Sequence, residues 1–168
     1  MLATRRFEIE LVLLIAPVIE SDPDFVKTVI LLIQHSDQQA VGVVLNRPSG
    51  KTVNHVWIGK RNRKSQKCVY SGGPVPGPLM TVHTCQPLGE IEILNGVYYS
   101  VQKKHIEQIA ASSDILCKTF NSHTGWGPGQ LEQWLEEKAF HILPATSELV
   151  FDPATDLWEK ALGQAQDR

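Results

Sequence analysis

The sequence predicts a mixed fold in which strands outnumber helices, and three observations carry that reading. Short apolar runs rich in β-branched residues and closed by Gly, Pro or Asn recur along the chain, as in Thr28–Ile33 and Val41–Leu45. Asn95-Gly96 stands between two such runs and is a strong hairpin signal. Apolar residues at helical spacing are confined to a few places, around Ile106 and Ile109, around Leu131, Trp134 and Leu135, and around Leu157, Trp158 and Leu162. With 168 residues, 42% of them hydrophobic, the chain has material for one ordinary core, so a single domain over residues 1–168 is expected.

Taken in order, Phe7–Ala16 reads as a strand that is polar early and continuously apolar later, and Pro17 stops it. Ser21-Asp22-Pro23 offers a cap and a first-turn proline for a short helix through Phe25 and Val26. Thr28–Ile33 is the next strand and Gln34-His35-Ser36-Asp37 its turn. Val41–Leu45 follows, with Gly42 admitting a neighbouring backbone, and Asn46-Arg47-Pro48-Ser49-Gly50 closes it. Lys60–Lys64 lacks any apolar period and is expected to be an exposed loop. Cys68–Tyr70 is a short strand ending at Ser71-Gly72-Gly73-Pro74-Val75, and Pro76-Gly77-Pro78 prolongs the irregular backbone. Leu79–Thr84 alternates apolar and polar residues as a strand carrying His83, and Ile91–Leu94 and Val97–Ser100 form the hairpin. A helix is expected over Lys103–Ala111, a buried strand over Ile115–Phe120, a helix from Gln130 to about Lys138, a last strand over Ala139–Leu143, and a terminal helix opened by Asp152-Pro153.

The formal net charge of −2 gives no general attraction to phosphate backbones or anionic lipid, so direct nucleic-acid binding is not expected. The basic run Lys60, Arg61, Arg63, Lys64 and Lys67 has no interleaved aromatic residues to stack bases and reads as a solvated surface. Arg5 and Arg6 precede an apolar run, but Glu8 and Glu10 interrupt it and Leu11–Ala16 is short for a secretory signal, so a cytoplasmic protein is expected. No apolar stretch reaches the roughly 20 residues that cross a bilayer. Cys68, Cys85 and Cys117 are odd in number and contain no C-x-x-C, which predicts reduced thiols and no disulfide framework, metal or cofactor site.

The stretch His123-Thr-Gly-Trp-Gly-Pro-Gly-Gln-Leu-Glu132 concentrates three glycines and a proline around Trp126 and runs into a helical pattern. Gly125, Gly127 and Gly129 are expected to take angles that a Cβ forbids, Pro128 to sit in the first helical turn, and the loop to present N–H groups to an anion at the start of the helix. No G-x-x-x-x-G-K-[ST] is present, so nucleotide hydrolysis lacks its usual lysine and magnesium ligand. Ser71-Gly72-Gly73-Pro74 could form a second N–H nest, and Arg47 beside Asn46 and Pro48 could hold a carboxylate bidentately. His83 and Cys85 lie two apart on a strand, but spacing alone supplies no nucleophile with its base, and G-x-S-x-G and H-E-x-x-H are absent. Against each of these stands a structural reading: tight turns, a solvated arginine, packed side chains, and a Trp126 ring that fills the core.

In order, Ile15-Ala-Pro17, Asp22-Pro-x-Phe25-x-x-Thr28, His35 with Gly42 and Asn46-Arg-Pro48, Gly72-Gly-Pro74, Leu79 with His83, and Gly125-Trp126-x-x-Gly129-Gln-Leu-Glu132 resemble the signature of the YqgE/AlgH family over nearly the whole chain. The resemblance implies an α+β fold with a branched mixed β-sheet partly closed into a small barrel and helices packed outside. It carries over no catalytic residues. The chain departs from the pattern at Ser122-His-Thr-Gly-Trp126, at Trp134 and at Phe140.

The expectation is therefore a cytosolic, non-catalytic regulatory or interaction module, with transcription-linked regulation among its roles, acting on an unknown protein partner. The competing reading is an enzyme or sensor that takes a small anionic metabolite. Either would use a cleft formed by Asn46, Arg47, Pro48, Gly72, Gly73, Pro74, His83, Gly125, Trp126, Gly127, Gly129 and Gln130, brought to one side of the molecule because special backbone geometries gather where function needs them.

Overall fold

The computed structural model describes residues 12–18, 20, 22–53 and 67–167. The expectations for Phe7–Leu11 and for the basic run Lys60–Lys64 lie outside the described residues. The strands are β1 (Val12–Ile15), β2 (Val29–His35), β3 (Ala40–Val44), β4 (Pro48–Thr52), β5 (Cys68–Tyr70), β6 (Val75–His83), β7 (Ile91–Leu94), β8 (Val97–Ser100), β9 (Cys117–Trp126) and β10 (His141–Pro144). The helices are α1 (Lys103–Ala111), α2 (Gln130–Glu136), α3 (Ser147–Phe151) and α4 (Leu157–Gln166), with a short 3-10 turn at Gln86–Leu88.

The strands form one mixed sheet in the order β10-β1-β2-β3-β9-β6-β8-β7, curled into a half-barrel, and β4 and β5 branch from it through a parallel pairing of β5 with β9. The α+β class and the branched, partly closed sheet are as expected. β9 is the strand that makes the branch possible. Its early residues pair with β5 and β6, from Cys117↔His83 to Phe120↔Met80, and its last three pair with β3, ending at Trp126↔Ala40.

Two packed layers result. Inside the half-barrel, Leu13, Val29, Leu31, Val43, Leu45, Met80, Val82 and Phe120 meet Leu157, Trp158 and Leu162 from α4. On the opposite face of the sheet, Leu14, Ile30, Leu32 and Val44 pack with Trp126, Leu131, Phe25 and Phe140. The uninterrupted apolar run of β1 follows from this, because alternate residues enter different layers. Gly42 admits a neighbouring backbone as expected: a Cβ there would stand 3.1 Å from Leu31 O, and 2.7 Å from the Ile30 side chain at Cγ2.

Several local expectations are corrected. Residues 23–27 make a turn rather than a helix; Phe25 and Val26 donate back to Asp22, and Lys27 then takes a left-handed φ of 52° that ends the run. Pro48–Gly50 belong to β4 and Pro76–Pro78 to β6, because nonlocal pairing, with register shifts at both places, absorbs residues that locally favour turns. The strand expected to end at Phe120 continues through Gly125 and Trp126, which are held by β3. α2 ends at Glu136, before Lys138 adopts a φ of 56°, and α4 begins at Leu157 rather than at Pro153. The last strand, β10, includes Pro144 opposite Val12, as an edge strand can. α3 was not expected; its cap is Thr146, whose hydroxyl accepts the N–H of Leu149 at 3.3 Å.

Candidate functional site

Three of the four expected site segments are neighbours, and β9 is what joins them. Ser71 N–H donates to Arg47 O at 2.8 Å, Val44 N–H to Gly72 O at 2.9 Å, and Gly73 N–H to Ser122 Oγ at 3.2 Å. Gly72 and Gly73 are pressed so closely onto β9 that a Cβ on Gly72 would stand 2.2 Å from Ser122 O, and one on Gly73 2.3 Å from His123 O. Pro74–Pro78 then runs exposed alongside Ser122 and His123, and Gly125 and Gly127–Gln130 continue from the same strand, also exposed. His83 is not part of this group. It pairs with Cys117 at the opposite end of β9, roughly 25–30 Å from Trp126 at the usual strand rise.

The polar groups proposed to hold a ligand are bound within the chain. The Arg47 guanidinium donates to the carbonyls of Asp24, Pro23 and Val26 at 2.8, 3.0 and 2.9 Å, fastening the turn that replaces the expected helix. Asn46 completes the clamp, accepting from Val29 N–H at 3.0 Å and donating to Lys27 O at 2.8 Å, which fixes the left-handed lysine. The N–H of Gly127 donates to Gln130 Oε1 at 3.1 Å. Pro128 lies in the turn before α2, which is seven residues long and capped by Gly129 at a φ of 70°. Gly125 and Gly127 do not take positive φ, and a Cβ on either would meet nothing within 4 Å. The expectation that both need forbidden angles, or a close approach, is therefore corrected.

Trp126 is buried at 3% exposure, packed edge-to-face against Trp134 and Phe140 with centroids 6.2 and 6.4 Å away. This is the core position expected for it. Its Nε1 and the Nδ1 of His123 are buried without a hydrogen-bond partner among the described residues.

His83 is a satisfied interior histidine. Its Nδ1 accepts the N–H of Cys85 at 3.1 Å, so Nε2 carries the proton and donates to Ser100 Oγ at 2.9 Å, and that hydroxyl donates onward to Leu88 O at 2.7 Å. Burial pushes its pKa down to about 4, with Glu90 opposing the shift and His105 adding to it. Burial acts to raise Glu90, but the N–H groups of Gln102 and Val101 and the His105 ring outweigh it and hold the carboxyl below its ordinary value. Glu90 thereby occupies the start of α1.

Of the described cavities, one lies away from these segments and the other is bounded in part by Asn46 and Pro48. One of about 200 Å³ is bounded by Leu32–His35 and Ile91–Ile93, and at its edge His35 is hydrogen-bonded to Glu132 of α2. A second, of about 90 Å³, is bounded by Leu45, Asn46, Pro48, Tyr70 and the segment Asp152–Thr155. Lys118, a buried lysine absent from the expected site, donates from Nζ to Leu45 O at 2.9 Å and Asp152 O at 2.8 Å; its signal in the sequence is a lone charge inside the buried strand expected over Ile115–Phe120. No cluster of three or more His, Cys, Asp or Glu able to hold a metal occurs among the described residues.

A family model described as AlgH-like matches residues 12–168. The chain belongs to the AlgH-like family. A relative from Chlorobium limicola, a UPF0301 protein, is 31% identical over 91% of this chain and 83% of its own length. One from Xanthomonas campestris pv. campestris is 33% identical over 90% of this chain and 86% of its own. The solution structure of the AlgH protein from Pseudomonas aeruginosa superposes with a TM-score of 0.79 at 24% identity, covering 100% of this chain and 94% of that one, and so shows the same fold. A crystal structure of a protein from Corynebacterium diphtheriae gives 0.73 at 25% identity over 92% and 85% of the two chains. The overall fold is thus shared with both structures, while the names of these proteins assign no reaction. No helix among the described residues is long and apolar enough to cross a membrane.

Proposed function

We propose that this AlgH-like chain is a non-catalytic interaction module of the cytosol that regulates a protein partner, in transcription-linked or other regulation, by docking it on the exposed surface formed by Pro74–Pro78, Gly125 and Gly127–Gln130. One observation carries the reading. Gly125 and Gly127 are exposed, have nothing within 4 Å of a would-be Cβ and need no positive φ, so neither turn geometry nor internal packing calls for glycine there. Glycine at an ordinary strand position, as at Gly125, is unfavourable by about 0.5–1 kcal/mol relative to alanine. A partner whose backbone or side chains approach this surface would supply the missing reason. The neighbouring prolines have little freedom to lose on binding, which favours docking.

The competing reading, an enzyme or sensor taking an anionic metabolite at the glycine segments, is less well supported at that place, because the Arg47 guanidinium and the N–H groups of Ser71 and Gly73 are already bonded. The test is crosslinking and co-purification from the host cell with wild type, Val75→Asp and Gly127→Glu. A partner captured by wild type and lost with both variants, at unchanged melting temperature, supports the reading. Capture of nothing, or capture indifferent to both substitutions, contradicts it.

A further inference from the structure

Lys67, the last cation of the basic run, is half-buried rather than freely solvated, and its ammonium is held against a cysteine. It directly precedes β5, whose parallel pairing with β9 sets Val69 beside Thr119 and so brings Lys67 level with Cys117 on the same face. Nζ donates to Ile109 O at 3.0 Å, to Ile115 O at 3.4 Å and to Cys117 Sγ at 3.4 Å. The three protons of the ammonium are thus directed at three acceptors. Two are carbonyls, one in the last turn of α1 and one in the loop that follows it, where a cation is favoured. The third is a thiol sulfur. Among the described residues no carboxylate lies within ion-pair distance of this ammonium.

The carbonyls hold the amine in place, so its contact with sulfur does not depend on a freely swinging side chain. Lys67 and Cys117 are both partly exposed, and an oxidant the size of dioxygen or hydrogen peroxide can reach them. Burial pushes the Cys117 thiol up, while the Lys67 ammonium opposes the shift by its charge and its hydrogen bond. A sulfur oxidised in so confined a place has the Lys67 nitrogen as its immediate neighbour. Cys68 differs, since its Sγ faces the carbonyl of Val69 at 3.5 Å.

We propose that oxidation joins Lys67 and Cys117 by a covalent Nζ–O–Sγ bridge, which staples the entry of β5 to the start of β9. The oxidant is dioxygen, or hydrogen peroxide in two equivalents. The ammonium first gives a proton to solvent, and the amine reacts. With dioxygen, one N–H bond, the S–H bond and the O–O bond break. One oxygen becomes bonded to both nitrogen and sulfur, and the other leaves with the two hydrogens as water. The four electrons that dioxygen accepts come from nitrogen and sulfur, two from each. Two equivalents of a dithiol return them and restore amine, thiol and one further water. Bridging removes the positive charge that caps α1, so this corner of the fold becomes sensitive to oxidation. The inference is independent of the docking surface.

The experiment exposes the reduced full chain to air-saturated buffer and, separately, to hydrogen peroxide, and reads intact mass and tryptic peptides. An increase of about 14 Da is expected, one oxygen gained and two hydrogens lost, with Lys67 and Cys117 in one linked peptide pair that dithiothreitol separates. Lys67→Arg keeps the charge but not the amine and should abolish the link, as should Cys117→Ser, whereas Cys68→Ser and Cys85→Ser should form it. If a variant does not fold, peptide mapping of the wild-type chain decides. Oxidation that stops at a sulfenic, sulfinic or sulfonic Cys117 with Lys67 unmodified, a direct N–S link with a loss of about 2 Da, or no change under either oxidant overturns the proposal. Val75→Asp should form the bridge like wild type, which separates failure here from failure of the docking surface.

Discussion

Replacing Trp126 by alanine and by phenylalanine measures two different properties of one position. Alanine removes a ring that is 3% exposed and fills the layer between Leu14, Ile30, Leu131 and Phe140. Cavities of this kind cost about 3–5 kcal/mol, and the two edge-to-face contacts add about 0.5–1.5 kcal/mol each. Against this, the indole N–H is buried without a partner, and its removal returns a desolvation cost of about 1–3 kcal/mol. The net for Trp126→Ala is about 4 kcal/mol, which lowers the melting temperature of a chain this size by roughly 8–16 °C. Phenylalanine keeps most of the ring and discards the orphaned donor, so Trp126→Phe should cost about 1 kcal/mol. Urea unfolding monitored by circular dichroism gives both values. An alanine variant as stable as wild type would show that the ring is not core. A phenylalanine variant as damaged as the alanine one would show that the N–H has a strong partner.

Other expected outcomes follow from the same contacts. His83 stays neutral in the folded chain down to about pH 4 while an unfolded histidine protonates near 6.5, so its contribution is full above pH 6.5 and is lost as pH falls towards 4, by up to about 3 kcal/mol; an NMR titration should find its ring unprotonated at pH 5.5. Gly72→Ala should destabilise by several kcal/mol or prevent folding, because its Cβ would stand 2.2 Å from a carbonyl in the central strand. Arg47→Lys keeps the charge but not the planar fork that reaches three carbonyls, and should cost about 1–2 kcal/mol in chemical denaturation while making Lys27 more susceptible to proteolysis.

Much of this architecture was legible in the sequence where local chemistry and tertiary context agree. Asn95-Gly96 makes the hairpin, with Gly96 at a φ of 79°, and Gly42 marks a close approach. The β1 and β3 runs are buried on both faces. Legibility failed where one segment answers to a distant one. Gly125 and Trp126 look like loop residues and become strand only because β3 pairs with them, and Pro76–Pro78 are held extended by β9. The glycine and proline segments do meet, but His83 is removed from them by the length of β9. Which carbonyls Arg47 would reach, and that Lys118 would point into the half-barrel, depend on chain crossings that no local pattern encodes. The helix over Ser147–Phe151 did have a readable signal in its Thr146 cap.

The central claim is that Gly125 and Gly127 serve an approaching partner rather than the fold. The most direct measurement is the double variant Gly125→Ala/Gly127→Ala, compared with wild type in melting temperature and in capture of the partner. Because both sites have open space and ordinary φ, alanine should leave the melting temperature unchanged or raise it, by up to about 1 kcal/mol per site in stability, while capture weakens. A variant that binds its partner like wild type, or one that unfolds easily, would contradict the account.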